Sequence, residues 1–118
     1  MTSSTIQRLE PGTRMSRAVV HGDTVYLCGH VDNKGTTVAE QTENILARIE
    51  KVLTDAGSGK AYILSVNIWL ADIATFDEMN SVYDAWVDQT QPPARACVES
   101  RPAGDAYKVE IAVIAARK

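Results

Sequence analysis

The chain has 118 residues, 45% hydrophobic and 23% charged, a composition that reads as one ordinary globular domain over residues 1–118. Twelve Lys and Arg are scattered among fifteen Asp and Glu, giving a net charge of −3 without a basic stripe, so no nucleic-acid partner is expected. The opening MTSSTIQRLEPG lacks the apolar centre of a secretory signal, and IAVIAA at 111–116 is too short to cross a bilayer, so the expectation is a cytoplasmic protein with no membrane partner.

In chain order, Ile6 to Leu9 could begin a strand, but Pro11-Gly12 breaks that reading. RAVV at 17–20 and TVYLC at 24–28 predict a β-hairpin turning at His21-Gly22-Asp23. A long amphipathic helix follows. Ala39, Thr42, Leu46, Ile49 and Leu53 step by three and four, with Ile45 and Val52 beside them. Thr37 and Glu40 have capping-box spacing at its start, and Gly57 stops it. The stretch 61–71 predicts a strand with Leu64, Val66, Ile68 and Leu70 on one face. Phe76, Met79, Tyr83 and Trp86 mark a second helix and are read as packing residues. Pro92-Pro93 ends any helix and leads into a strand, ARACVES, and after a turn YKVEIAVIAA forms the last strand.

The resulting order, β-β-α-β-α-β-β, predicts an α+β sheet with both helices on one face. The strands near 63–70 and 109–116 are apolar on both faces, whereas a sheet open to water should alternate. A second subunit covering the open face resolves this, so an oligomer is expected. Cys28 and Cys97 read as free thiols, and with only His21 and His30 beside them, no metal or cofactor site is predicted.

Strand period two places Arg95, Cys97 and Glu99 on one face, with Ala94, Ala96 and Val98 on the other. If the last two strands pair as a hairpin, Arg95, Cys97 and Glu110 can approach one cleft. A guanidinium there suits a carboxylate ligand, and a half-buried carboxyl suits proton transfer. From spacing alone the commoner arrangement is a cross-strand ion pair of Arg95 and Glu110 beside a small buried thiol. His30 is as easily a packing residue as a functional one.

PPARACVES followed by KVEIAVIA resembles the C-terminal signature of the Rid family, also called YjgF-like or L-PSP proteins, roughly P-A-R-[ST]-x-V-E and then E-I-x-x-I-A. VYLCGHV resembles that family's strand ending in S-G-Q, EQTENILARIEKVLTDAGS its first helix, and LSVNIWLADIATFDEMNSVYDAW its central strand and second helix. The likeness covers nearly all of the chain after residue 12. It implies a chorismate-mutase-like α+β fold, a homotrimer with clefts between subunits, and cofactor-free hydrolysis of 2-imino or enamine acids to 2-oxo acids and ammonia. By the same resemblance, Arg95 falls on the arginine that binds the substrate carboxylate and Glu110 on the acid that positions water. Cys97 falls on a cysteine walling the substrate, and Gly29 on a glycine at the cleft floor; Asn80 and Tyr83 are read as structural. The chain departs from the pattern at three places. Met15 stands where the family has a cleft tyrosine, and Cys28 and His30 replace the serine and glutamine of S-G-Q. These changes point to an altered substrate. They also keep open a non-catalytic trimer that binds a small carboxylate, or a pathway-specific enamine deaminase of aminomuconate type. A ribonuclease role fits the acidic balance poorly.

Overall fold

A computed structural model describes residues 5–118. Its strands are β1 (Ile6–Pro11), β2 (Ser16–His21), β3 (Thr24–Leu27), β4 (Ile63–Leu70), β5 (Ala94–Glu99) and β6 (Val109–Ala116). They form one sheet in the order β1-β2-β3-β6-β4-β5. Helix α1 (Val38–Asp55) and helix α2 (Phe76–Trp86) complete the α+β architecture expected from the sequence, with one strand more.

That extra strand is β1. Pro11 pairs with Ser16 at its last position, on an edge strand, where a missing N–H costs no ladder bond. Gly12 N–H then donates to Met15 C=O at 2.8 Å and closes the β1–β2 loop. The dipeptide that looked like a breaker is therefore the start of a turn. The β2–β3 hairpin turns where expected. Gly22 adopts φ +62°, a left-handed conformation that glycine enters without a Cβ clash.

Helix α1 begins with the predicted capping box. The Thr37 hydroxyl accepts from Glu40 N–H, and the Glu40 carboxylate accepts from Thr37 N–H. The helix buries Ile45, Leu46, Ile49 and Leu53 against the sheet, and Gly57 at φ +81° terminates it. Gln41 is buried too, and its three hydrogen bonds tie the helix to the loop before it and to the approach of β6. Its Nε2 donates to Gly35 and Ala106 carbonyls, and its Oε1 accepts from Lys108 N–H.

Two expectations about the sheet need correction. In β4 a bulge between Ile63 and Ser65 reverses the alternation at its start. Ile63 is buried with Val66, Ile68 and Leu70, while Leu64 is 51% exposed. In addition, β5 and β6 do not form a hairpin. Both pair with β4, which lies between them, β5 in parallel and β6 antiparallel. The chain leaves β4, passes through α2 and returns alongside as β5, a βαβ unit. The segment after β5 then crosses the end of β4, where Ser100 N–H donates to Leu70 C=O and Ala71 N–H to Lys108 C=O.

One face of the sheet packs under the helices. Along β6 it presents Val109, Ile111, Val113 and Ala115, all buried. The other face presents Glu110, Ala112 and Ile114, half-buried within the single chain. Their strand partners include Tyr26 and Trp69, and Val98 lies opposite Trp69. Tyr26 and Val98 are exposed. Among the described residues, no helix is long and apolar enough to cross a membrane.

Candidate functional site

Arg95 lies on the helix-side face of β5, beside Val66 of β4, as the strand period predicts. Because β5 is an edge strand, its side chain reaches past the sheet to α2. There its Nη1 donates to Asn80 Oδ1 at 2.7 Å. Its guanidinium lies 4.7 Å from the Tyr83 ring centre and 5.8 Å from that of Phe76. Stacking on two aromatic faces and one amide contact hold the guanidinium plane while leaving further N–H donors free. Among the described residues no carboxylate forms an ion pair with it. Asn80 and Tyr83, read from the sequence as structural, thus position the arginine. Their helical spacing was legible, but not that one side of α2 overhangs the edge of the sheet.

Cys97 follows on the same face, half-buried against the core beside Ile68. Burial pushes its thiol pKa up against the pull of Arg95, so the group stays protonated at neutral pH. It is suited to be a wall and unsuited to be a nucleophile. Glu99, next on this face, accepts from Ile73 N–H at 2.9 Å and fastens the approach to α2.

Glu110 points to the opposite face. It pairs with Trp69 of β4, which in turn pairs with Val98 of β5. The cross-strand ion pair with Arg95 is therefore excluded within one chain, since β4 separates the strands and the side chains leave opposite faces. What Glu110 meets instead is Gly29. A Cβ built on Gly29 would come within 2.1 Å of Glu110 Oε2, so the carboxylate lies directly on the glycine backbone. The placement has a simple cause, because His30 and Ile111 exchange backbone hydrogen bonds at 2.8 and 3.1 Å and lock segment 28–30 beside β6.

Cys28 is half-buried next to Gly29. Burial raises its thiol pKa, partly opposed by the charge of Arg17 and a hydrogen bond with it. The His30 ring is buried, with Nδ1 2.9 Å from Cys28 C=O, and burial lowers its pKa, so it is neutral near pH 7. Met15, 54% exposed, sits at the β1–β2 loop. Asp32, a residue the sequence reading passed over, supports this segment. Its own burial disfavours charge, but hydrogen bonds from Asn44 and from the Gly35 and Lys34 backbone, with Arg48 nearby, hold its carboxyl below the usual range.

The candidate residues thus form two half-sites. Arg95 and Cys97, with Asn80 and Tyr83, sit at the β5 edge. Cys28, Gly29 and Glu110 sit on the open face. Two of the larger cavities, about 340 and 590 Å³, lie elsewhere, at the start of α1 and between the two helices. Among the described residues no group of His, Cys, Asp and Glu is arranged to hold a metal ion.

The family model described as Endoribonuclease L-PSP matches residues 5–117. A RutC family protein from Haemophilus influenzae is 40% identical over 113 residues, covering 94% of this chain and 97% of that protein. RutC family protein YoaB from Escherichia coli is 41% identical over 112 residues, covering 95% and 98%. The crystal structure of NMB1025, a YjgF family member from Neisseria meningitidis, shares 41% identity and a TM-score of 0.96, covering 98% of this chain and 97% of that one. With such agreement over nearly the whole of each protein, the chain belongs to the Rid family, also called the YjgF or RutC family.

Proposed function

We propose that this protein hydrolyses 2-imino acids, and the enamines that tautomerise to them, to 2-oxo acids with release of ammonia. The observation that carries this reading is Arg95, a guanidinium held in place by Asn80 and Tyr83 with no carboxylate among the described residues paired to it. Such a fork matches the carboxylate of an imino acid through two parallel hydrogen bonds.

The two half-sites then need to meet. They leave opposite faces of one sheet, so the reading places the cleft between subunits, with β5 of one protomer against the open face of the next. A homotrimer serves this and covers Tyr26, Trp69 and Val98. In the cleft, Arg95 fixes the substrate carboxylate. Glu110 of the neighbouring protomer orients water onto the imine carbon. As the C–O bond forms, the carboxylate takes a proton from the water and passes it to the imine nitrogen. The carboxylate then takes the proton of the new hydroxyl and passes it to the amine, the C–N bond breaks as the C=O of the oxo acid forms, and ammonia leaves. An enamine first takes its proton at the β-carbon. General acid-base transfer of this kind contributes about 10²–10⁴-fold. Gly29 leaves room for the carboxylate, and Cys28 and Cys97 wall the cleft as neutral thiols.

Met15 favours a second reading, a trimer that binds small carboxylates without turnover, because it brings no hydroxyl to the β1–β2 loop. The two readings separate in one assay. With 2-iminobutanoate generated in situ, the first expects faster release of ammonia and 2-oxobutanoate than buffer alone gives; a rate equal to buffer leaves only binding. Light scattering at micromolar concentration should report three chains per particle, and a monomer would contradict the shared cleft.

A further inference from the structure

Apart from both half-sites, a cavity of about 210 Å³ opens between the β1–β2 hairpin and α1. Glu10, Arg17, His30, Arg48, Lys51 and Val52 line it. Three of the six are cationic and one is acidic. Asp32 and Asp55, the carboxylates nearest Arg48 and Lys51, lie at 3.6 and 2.8 Å from them but do not form the wall.

Two polar atoms here are buried with no hydrogen-bond partner among the described residues, His30 Nε2 and Arg48 Nε. Their roles are fixed by their neighbours. His30 Nδ1 faces the Cys28 carbonyl, which can only accept, so Nδ1 carries the ring proton. In the neutral ring, Nε2 is then a bare acceptor. Arg48 Nε–H can only donate. Leaving such groups unsatisfied is unfavourable, because each has been taken out of water without gaining a partner. An occupant that serves both must offer a hydroxyl to His30 and an oxygen lone pair to Arg48.

Water has both, yet it brings no charge to a wall in which three cationic side chains face a single carboxylate, Glu10. A metal cation would use Nε2 but would meet three positive side chains. A tetrahedral oxyanion that keeps a proton meets every requirement. We propose that this cavity is a binding site for a small hydroxyl-bearing oxyanion, with hydrogen phosphate as its simplest occupant. Its hydroxyl donates to His30 Nε2, and its charged oxygens accept from Arg48 and face Arg17 and Lys51. The proposal does not rest on the imine-hydrolysis reading, although Arg17 borders both this cavity and Cys28.

The test is a titration of the intact protein with inorganic phosphate and, separately, with sulfate, which has the same shape but no proton at neutral pH. Long-range ¹H–¹⁵N spectra follow the His30 ring, and calorimetry gives affinity. The expected result is a saturable shift of the His30 Nε2 resonance with phosphate, and binding about tenfold weaker for sulfate. Lys51→Gln, at a side chain 75% exposed and thus safe for folding, should weaken phosphate several-fold. Arg95→Ala should leave it unchanged. An unmoved Nε2 resonance, equal affinity for the two anions, or loss of binding in Arg95→Ala would each overturn the proposal. The first outcome leaves water in the cavity, the second removes His30 from recognition, and the third moves the anion to the β5 edge.

Discussion

Arg95→Ala is expected to lower kcat/KM for 2-iminobutanoate hydrolysis by about 10²–10³-fold, the loss of two charge-assisted hydrogen bonds at roughly 1.5–2 kcal/mol each. The fold should survive, because Arg95 is exposed on an edge strand and its ties among the described residues are a hydrogen bond to Asn80 and stacking on Tyr83 and Phe76. Arg95→Lys separates charge from shape. A lysine keeps the charge but loses the planar fork and the stacking, so it should recover only part of the rate. If instead Arg95→Ala retains full activity, the carboxylate is held elsewhere and the assigned role of β5 is wrong.

The second large effect is expected at Gly29. Glycine is needed there for space. Its backbone is outside the left-handed region, so alanine is conformationally permitted, but the new methyl would sit 2.1 Å from Glu110 Oε2. The carboxylate is the end of a flexible side chain and can swing away. Gly29→Ala should therefore fold with a melting temperature close to wild type, yet lose about 10²-fold or more in kcat as Glu110 leaves its water-positioning pose. Steady-state kinetics beside thermal unfolding checks this. A variant that unfolds shows that the contact is structural, and one that is fully active shows that Glu110 has no fixed place in the reaction.

Local pattern revealed much of this architecture. The capping box of α1, its buried stripe, the turn at Gly22 and the alternation of β5 and β6 all follow from local residue type and periodicity, because each is decided within a few residues. The errors lie where tertiary pairing decides. Pro11 reads as a breaker until it is known to end an edge strand. Leu64 reads as core until the bulge at Ile63/Ser65 shifts the register. Most consequential is the expected β5–β6 hairpin, which follows from the tendency of consecutive strands to pair. Here β4 takes the middle place, with one strand on each side. The period-two reading still put Arg95 and Cys97 on one face, but only the strand order showed Glu110 on the other. The aromatic cradle of Arg95 was hidden for a similar reason. Phe76, Asn80 and Tyr83 have the spacing of an ordinary packed helix, and nothing local reveals that the helix side bearing them extends over an edge strand.

The central claim is that Arg95 of one protomer and Glu110 of another make one hydrolytic site. Arg95→Ala and Glu110→Gln should each be nearly inactive alone. Unfolded together at equal concentration and refolded, they should form mixed trimers in which a protomer that keeps Arg95 meets a neighbour that keeps Glu110. Random cyclic assembly restores about one quarter of all sites, so the mixture should regain about a quarter of wild-type imine hydrolysis. A mixture as inactive as its two components, with native mass spectrometry showing that mixed trimers had formed, would contradict a site shared between subunits.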